Sequence, residues 1–223
     1  MDLKQFIQGI VKWYGQFSLQ FFVKDKILFI DPYNLPDNFN QKADWIFISH
    51  DHFDHLSFDD LRKVATPQTP IYAAKKLVGQ LKEKGYTNVT ETEPGMKIEL
   101  DGVTVETVPM YNIRKTNFHP KENGWTAFVL TIDQKRIYIS VDTERIPEMK
   151  DIHADITFMT LGQTYTMDSV EEAVEAVLDT GAKLAIPVHY GMYEGTEQDA
   201  DKFCQLLAEK GVECLKLQKL GKE

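Results

Sequence analysis

The chain has 223 residues, of which 43% are hydrophobic, 26% charged and 11% aromatic. That composition excludes disordered and fibrous classes and allows one sizeable core. Asp and Glu number 34 against 25 Lys and Arg, and the resulting net charge of −9 repels phosphate backbones and anionic membranes, disfavouring a nucleic-acid or membrane partner. Met1 to Gly15 shows no basic start leading into a continuous apolar run, and no stretch reaches the ~20 apolar residues of a bilayer span. The expected location is the cytoplasm. Cys204 and Cys214 lie outside any C-x-x-C spacing and read, without an export signal, as reduced and partly buried thiols rather than a disulfide.

In chain order, runs rich in Phe, Ile, Val and Tyr predict strands at Val11–Phe17, Leu19–Val23, Ile27–Ile30 and Trp45–Ser49. Ser57, with Asp60 three residues on, predicts a capped short helix through Ala65, and Ala73–Lys84 reads as a helix ended by Gly85. Lys97–Leu100 and Val103–Val108 form a hairpin around Asp101-Gly102, and Thr126–Ile132 with Arg136–Val141 repeats the pattern. After a strand at Ile156–Leu161, Asp168 or Ser169 caps an amphipathic helix carrying Val170, Ala173, Val174, Val177 and Leu178 on one face and ending at Gly181. Leu184–Val188 reads as a buried strand, Ala200–Lys210 as a helix stopped by Gly211, and Glu213–Leu217 as a last strand. No linker or internal period interrupts the series. The pattern predicts one α+β domain over residues 1–223, two packed sheets with helices outside.

Chemistry concentrates at His50-Asp51-His52-Phe53-Asp54-His55. Three of the chain's six histidines fall in this one hexapeptide, beside two carboxylates, at the end of a predicted strand. Residues two apart on extended backbone project to the same side, so His50 and His52 can grip one ion. Such a density of imidazole and carboxylate suits zinc, iron or manganese. Solvated polar residues at a strand end are the bland explanation, and the clustering of an otherwise scarce residue argues against it.

His50-x-His52-x-Asp54-His55 resembles the metal motif of the metallo-β-lactamase superfamily of hydrolases. The likeness extends to Trp13-Tyr14-Gly15, Asp31-Pro32, Phe118-His119-Pro120-Lys121 with Gly124-Trp125, Asp142-Thr143 and Ile186-Pro187-Val188-His189-Tyr190-Gly191. It implies a four-layer αββα sandwich. It also implies that His50, His52 and His119 bind one divalent ion, that Asp54, His55 and His189 bind a second, and that Asp142 bridges them. Zinc is the default, with manganese or iron as competitors. The family has Gly before the bridging aspartate where this chain has Val141. Thr164-Tyr165-Thr166-Met167 and His189-Tyr190-Gly191 are similar to the branch that contains L-ascorbate-6-phosphate lactonase. His153 matches no motif position and reads as a surface residue.

Two cations sharing a water bring its pKa toward neutrality and polarise the bond under attack, so the resemblance implies hydrolysis of a small-molecule ester, lactone or phosphodiester. Asp54 would orient the water and take its proton. Tyr190 and Tyr165, with Asn112, Arg114 and Lys121, are candidate donors or anchors for the substrate. Two other readings stand: a nuclease of the same superfamily, disfavoured by the negative charge, and a metal-binding sensor or scaffold without turnover. Oligomeric state, including a homo-oligomer, is left open.

Overall fold

A computed structural model describes residues 2–222. Asp2 caps the first helix, α1 (Leu3–Ile10), by accepting from Gln5 N at 2.7 Å. Strands β1 (Val11–Trp13), β2 (Leu19–Val23) and β3 (Lys26–Ile30) form an antiparallel meander, to which β4 (Trp45–Ile48), β5 (Ile71–Ala74) and β6 (Val89–Thr92) add in parallel. Helices α2 (Phe58–Val64) and α3 (Lys75–Glu83) lie in the crossovers.

The second sheet repeats the plan. β7 (Lys97–Leu100), β8 (Val103–Pro109), β9 (Thr126–Ile132) and β10 (Lys135–Ile139) are antiparallel, and β11 (Ile156–Thr160), β12 (Leu184–Val188) and β13 (Glu213–Cys214) add in parallel, with α4 (Val170–Thr180) between β11 and β12 and α5 (Glu197–Glu209) between β12 and β13. Phe21 of β2 meets Phe158 of β11 at 6.0 Å between ring centres, and Phe47 of β4 meets Phe128 of β9 at 5.6 Å, so the two mixed sheets share one apolar interior. The expected sandwich with outer helices is the observed architecture.

Local departures have physical causes. The predicted first strand, Val11–Phe17, stops at Trp13 because Gly15 and Gln16 turn through positive φ (+116° and +45°), a turn closed by Ser18 N donating to Gly15 O. Helix α1 sits where no element was predicted. Ala73 and Ala74, expected to open a helix, are drawn into β5 by pairing with Ile48 and with Glu91 and Thr92; tertiary pairing overrides alanine's helix propensity. The last strand ends at Cys214 rather than Leu217, and the chain crosses to the other sheet, where Leu220 N donates to Trp13 O at 2.8 Å.

The cysteines are also corrected: Cys204 and Cys214 are joined in a disulfide. The turn at Gly211 folds β13 back along α5 and brings their Cα atoms to 5.2 Å, within bridging range, which the ten-residue separation alone did not reveal. No helix among the described residues is long and apolar enough to cross a membrane.

Candidate metal centre

The histidine hexapeptide follows β4 as a tight turn, with His55 N and Leu56 N both donating to His52 O. Asp31, at the end of the neighbouring β3, is fully buried and accepts from Ser49 N (2.8 Å), Ser49 Oγ (2.6 Å) and His55 Nδ1 (2.8 Å). Because the Ser49 hydroxyl proton goes to Asp31, its lone pair receives His50 Nδ1–H at 2.9 Å. Both rings are thus fixed through Nδ1, which leaves Nε2 free to point inward.

The remaining residues come from the second sheet. His119 lies between β8 and β9, Asp142 follows β10, and His189 follows β12. Glu144, two residues past Asp142 and buried, accepts from Ile113 N, Arg114 N and Lys115 N at 2.8–3.0 Å, so the His119 loop hangs from the same strand end. Asn112 tightens the joint: its Nδ2 donates to Tyr165 O (2.7 Å) and Lys115 O (3.1 Å), and its Oδ1 accepts from Glu144 N (3.0 Å). His189 Nδ1 lies 3.2 Å from the buried Glu194 Oε1, and Glu194 Oε2 accepts from Thr164 N and Tyr165 N. Gly162 makes room for that carboxylate, since a Cβ there would stand 2.0 Å from Glu194 Cδ.

Among the described residues, three groups of donor atoms each lie within 4.8 Å: Asp31 with His50 and His55, which the Ser49 and His55 hydrogen bonds already occupy, and two that face the cavity, His50, His52, His119 and Asp142 in one and Asp54, His55 and His189 in the other. Asp142 stands between the latter two. Its Oδ2 is 3.4 Å from His119 Nε2 and 3.8 Å from His50 Nε2, whereas its Oδ1 is 3.2 Å from His189 Nε2 and 3.4 Å from His55 Nε2. Buried polar atoms normally have partners, yet Nε2 of His50, His55 and His119 and Oδ1 of Asp142 have none. Metal coordination would satisfy all four, so these residues fit divalent ions on the chemistry of the atoms themselves.

The electrostatics agree. Burial pushes the His50 and His52 pKa values down, favouring neutral imidazole. Burial opposes charge on His55 and His189 as well, but Asp142 outweighs it and both are raised. Asp142 is held well below the usual carboxylate range against its own burial, by His189 and His55. Protons and divalent cations thus compete for the same imidazoles of His55 and His189.

Comparison with known proteins fits this arrangement. A family model described as the beta-lactamase superfamily domain matches residues 19–190. The chain belongs to the beta-lactamase superfamily. A metal-dependent hydrolase of Methanocorpusculum labreanum is 34% identical over 80% of this chain and 82% of the relative. One of Thermoplasma acidophilum is 31% identical over 89% and 91%. A crystal structure from Parabacteroides distasonis is similar with a TM-score of 0.82 at 28% identity, covering 93% of both chains. The chain is an enzyme of the same class, a metal-dependent hydrolase.

Within this superfamily frame the structure brings together His50, His52, Asp54, His55, His119, Asp142 and His189. Tyr165 stands at the mouth of the cavity above them. Tyr190 does not: it is buried with its ring 5.4 Å from that of Trp13, outside the cavity lining, because His189 takes positive φ and turns the next side chain away. Asn112 is a brace within the wall. Arg114 is engaged by Asp168, Glu172 and Glu144, and Lys121 by Glu148 and Tyr111. His153 is exposed, as expected. Sequence reasoning missed Gln16, whose Nε2 donates to Asp54 Oδ2 at 2.7 Å and lies 2.9 Å from His189 Nε2. It gave no role to Asp31 or Glu194. Adjacency of Gln16 to the Gly15 turn was the available signal.

Proposed function

We propose that the chain is one catalytic unit of the metallo-β-lactamase type that hydrolyses a small-molecule ester, lactone or phosphodiester with two divalent ions. His50, His52 and His119 would hold one, Asp54, His55 and His189 the other, with Asp142 between them. The observation that carries this reading is the carboxylate of Asp142, whose two oxygens face opposite sets of imidazoles. Two like-charged ions ~3.5–4 Å apart need such an anion between them. Imidazole with carboxylate suits zinc first, with manganese or iron as alternatives.

When bound, the ions supply an activated water and a Lewis acid. The chain's own groups do the rest. Asp31 and Ser49 keep His55 and His50 in the tautomer whose Nε2 faces inward. Asp54, steadied by Gln16, is the carboxylate that orients the attacking water and takes its proton, a contribution of about 10²–10⁴-fold. Tyr165, at the cavity mouth, is the candidate donor to the leaving group.

Elemental analysis of metal-replete protein tests the dinuclear reading, with two transition-metal ions per chain expected and fewer than one contradicting it. Asp142→Ala should lose both metal and turnover. Metal binding without hydrolysis of any lactone, thioester or phosphodiester would favour a sensor, and RNA cleaved in preference to lactones would favour a nuclease.

A further inference from the structure

The geometry points to a neutral substrate with a flat or extended apolar group, a carboxylic ester or lactone rather than a phosphorylated sugar; this rests on the hydrolytic reading above. The centre opens into a cavity of about 550 Å³ whose floor includes His52, Asp54, His119, Asp142 and His189. Above that floor stand two aromatic pairs. Phe53 meets Tyr193 edge-to-face at 5.2 Å, and Phe118 meets Tyr165 edge-to-face at 5.0 Å. Tyr33 supports the first pair through its ring against Phe53 and a hydroxyl–hydroxyl hydrogen bond to Tyr193.

These rings are not core. Phe53 is 64% exposed, Tyr193 48%, Phe118 40% and Tyr165 38%, making them four of the five large hydrophobic side chains exposed among the described residues. Large apolar groups gathered around one opening, in a chain whose other described aromatics are buried or half-buried, mark a surface meant to be covered by a ligand. Edge-to-face pairing also restrains each ring, so little order need be lost when a flat group settles against them.

Away from the metal ions themselves, nothing in the lining anchors a phosphate. No Lys or Arg lines the cavity among the described residues, and Asp51 is the one lining carboxylate outside the proposed ligand set. The cations of the adjoining loop are committed elsewhere. Arg114 lies 2.7 Å from both Asp168 and Glu172, Lys115 donates to Gln163 O and Thr166 O, and Lys121 pairs with Glu148. Bidentate recognition of a phosphate needs a free guanidinium or its equivalent, and the mouth offers none.

Calorimetric titration of the metal-replete full chain with acetate, phenylacetate and glucose 6-phosphate tests the inference. Acetate and phenylacetate share a carboxylate and differ by one ring. Phenylacetate is expected to bind at least about tenfold more tightly than acetate and more tightly than the sugar phosphate. That preference should fall to about twofold in Tyr193→Ala and Phe53→Ala, whose side chains are exposed rather than part of the core. Equal binding of the two carboxylates, tighter binding of the sugar phosphate, or a preference unchanged in both variants would overturn it. Hydrolysis of phenyl-substituted and phosphorylated lactones separates the two readings. Phenylacetate selectivity without turnover of either lactone counts against the hydrolytic function alone, and faster turnover of the phosphorylated lactone counts against the apolar substrate alone.

Discussion

Val141 is fully buried at φ +51°, a left-handed conformation in which a β-branched side chain is strained. The superfamily glycine at this place is thereby explained: the turn that aims Asp142 needs positive φ, which glycine takes freely. Strain of order 1–3 kcal/mol opposes the roughly 1.5–3 kcal/mol gained by burying valine. Val141→Gly should therefore cost only about 1 kcal/mol in denaturant unfolding, against about 3 kcal/mol for Val129→Gly in the regular strand β9. Equal costs would refute the strain. Gln16, Asp31 and His189 also sit at positive φ around the centre. Of the candidate ligands, His50, His52, Asp54 and His55 were legible because imidazole is scarce in this chain and clustered there, whereas His119, Asp142 and His189 were placed by resemblance. Gln16 and Glu194 were not, since amides and carboxylates are common and theirs act across 173 and 5 residues to meet His189.

Among elements, long periodic segments such as α4 and β9 were legible, whereas β5 and β6, four residues each, depend on partners that no local pattern reveals. The joint between β10 and the His119 loop is equally non-local. Glu144→Ala removes the acceptor of three backbone N–H groups at about 1 kcal/mol each. It should lower stability by about 3 kcal/mol and weaken metal binding together, read by thermal melting and metal titration; an unchanged metal affinity would mean that His119 is held by other contacts. The clasp between α5 and β13 is covalent. Reducing the Cys204–Cys214 bond, or replacing Cys204 by Ser, should cost about 2–3 kcal/mol by loop-closure entropy. A urea midpoint indifferent to reductant would contradict it.

At the scale of the molecule, candidate ligands carried by two sheets meet only when the sandwich is closed, so metal binding and folding are linked equilibria. The His189 pKa is raised from 6.5 to about 10 in the metal-free fold, with His55 raised as well. A raised pKa contributes stability that is present below pH 6.5 and lost as pH climbs toward about 10. Metal affinity moves the other way, because ligation requires those protons to leave. The melting-temperature gap between metal-loaded and chelated protein should therefore widen from pH 6 to pH 9, and a gap that narrows would contradict the ligand role of His55 and His189. The two packed sheets were legible from the strand pattern; which strand ends meet at the centre was legible only through resemblance. Glu194 adds one more link. The same carboxylate lies against His189 and grips the backbone of Thr164 and Tyr165, with Gly162 kept bare beneath it. Loading the centre should consequently slow amide exchange at Thr164 and Tyr165, so that the enzyme readies its entrance by the same act that fills its floor.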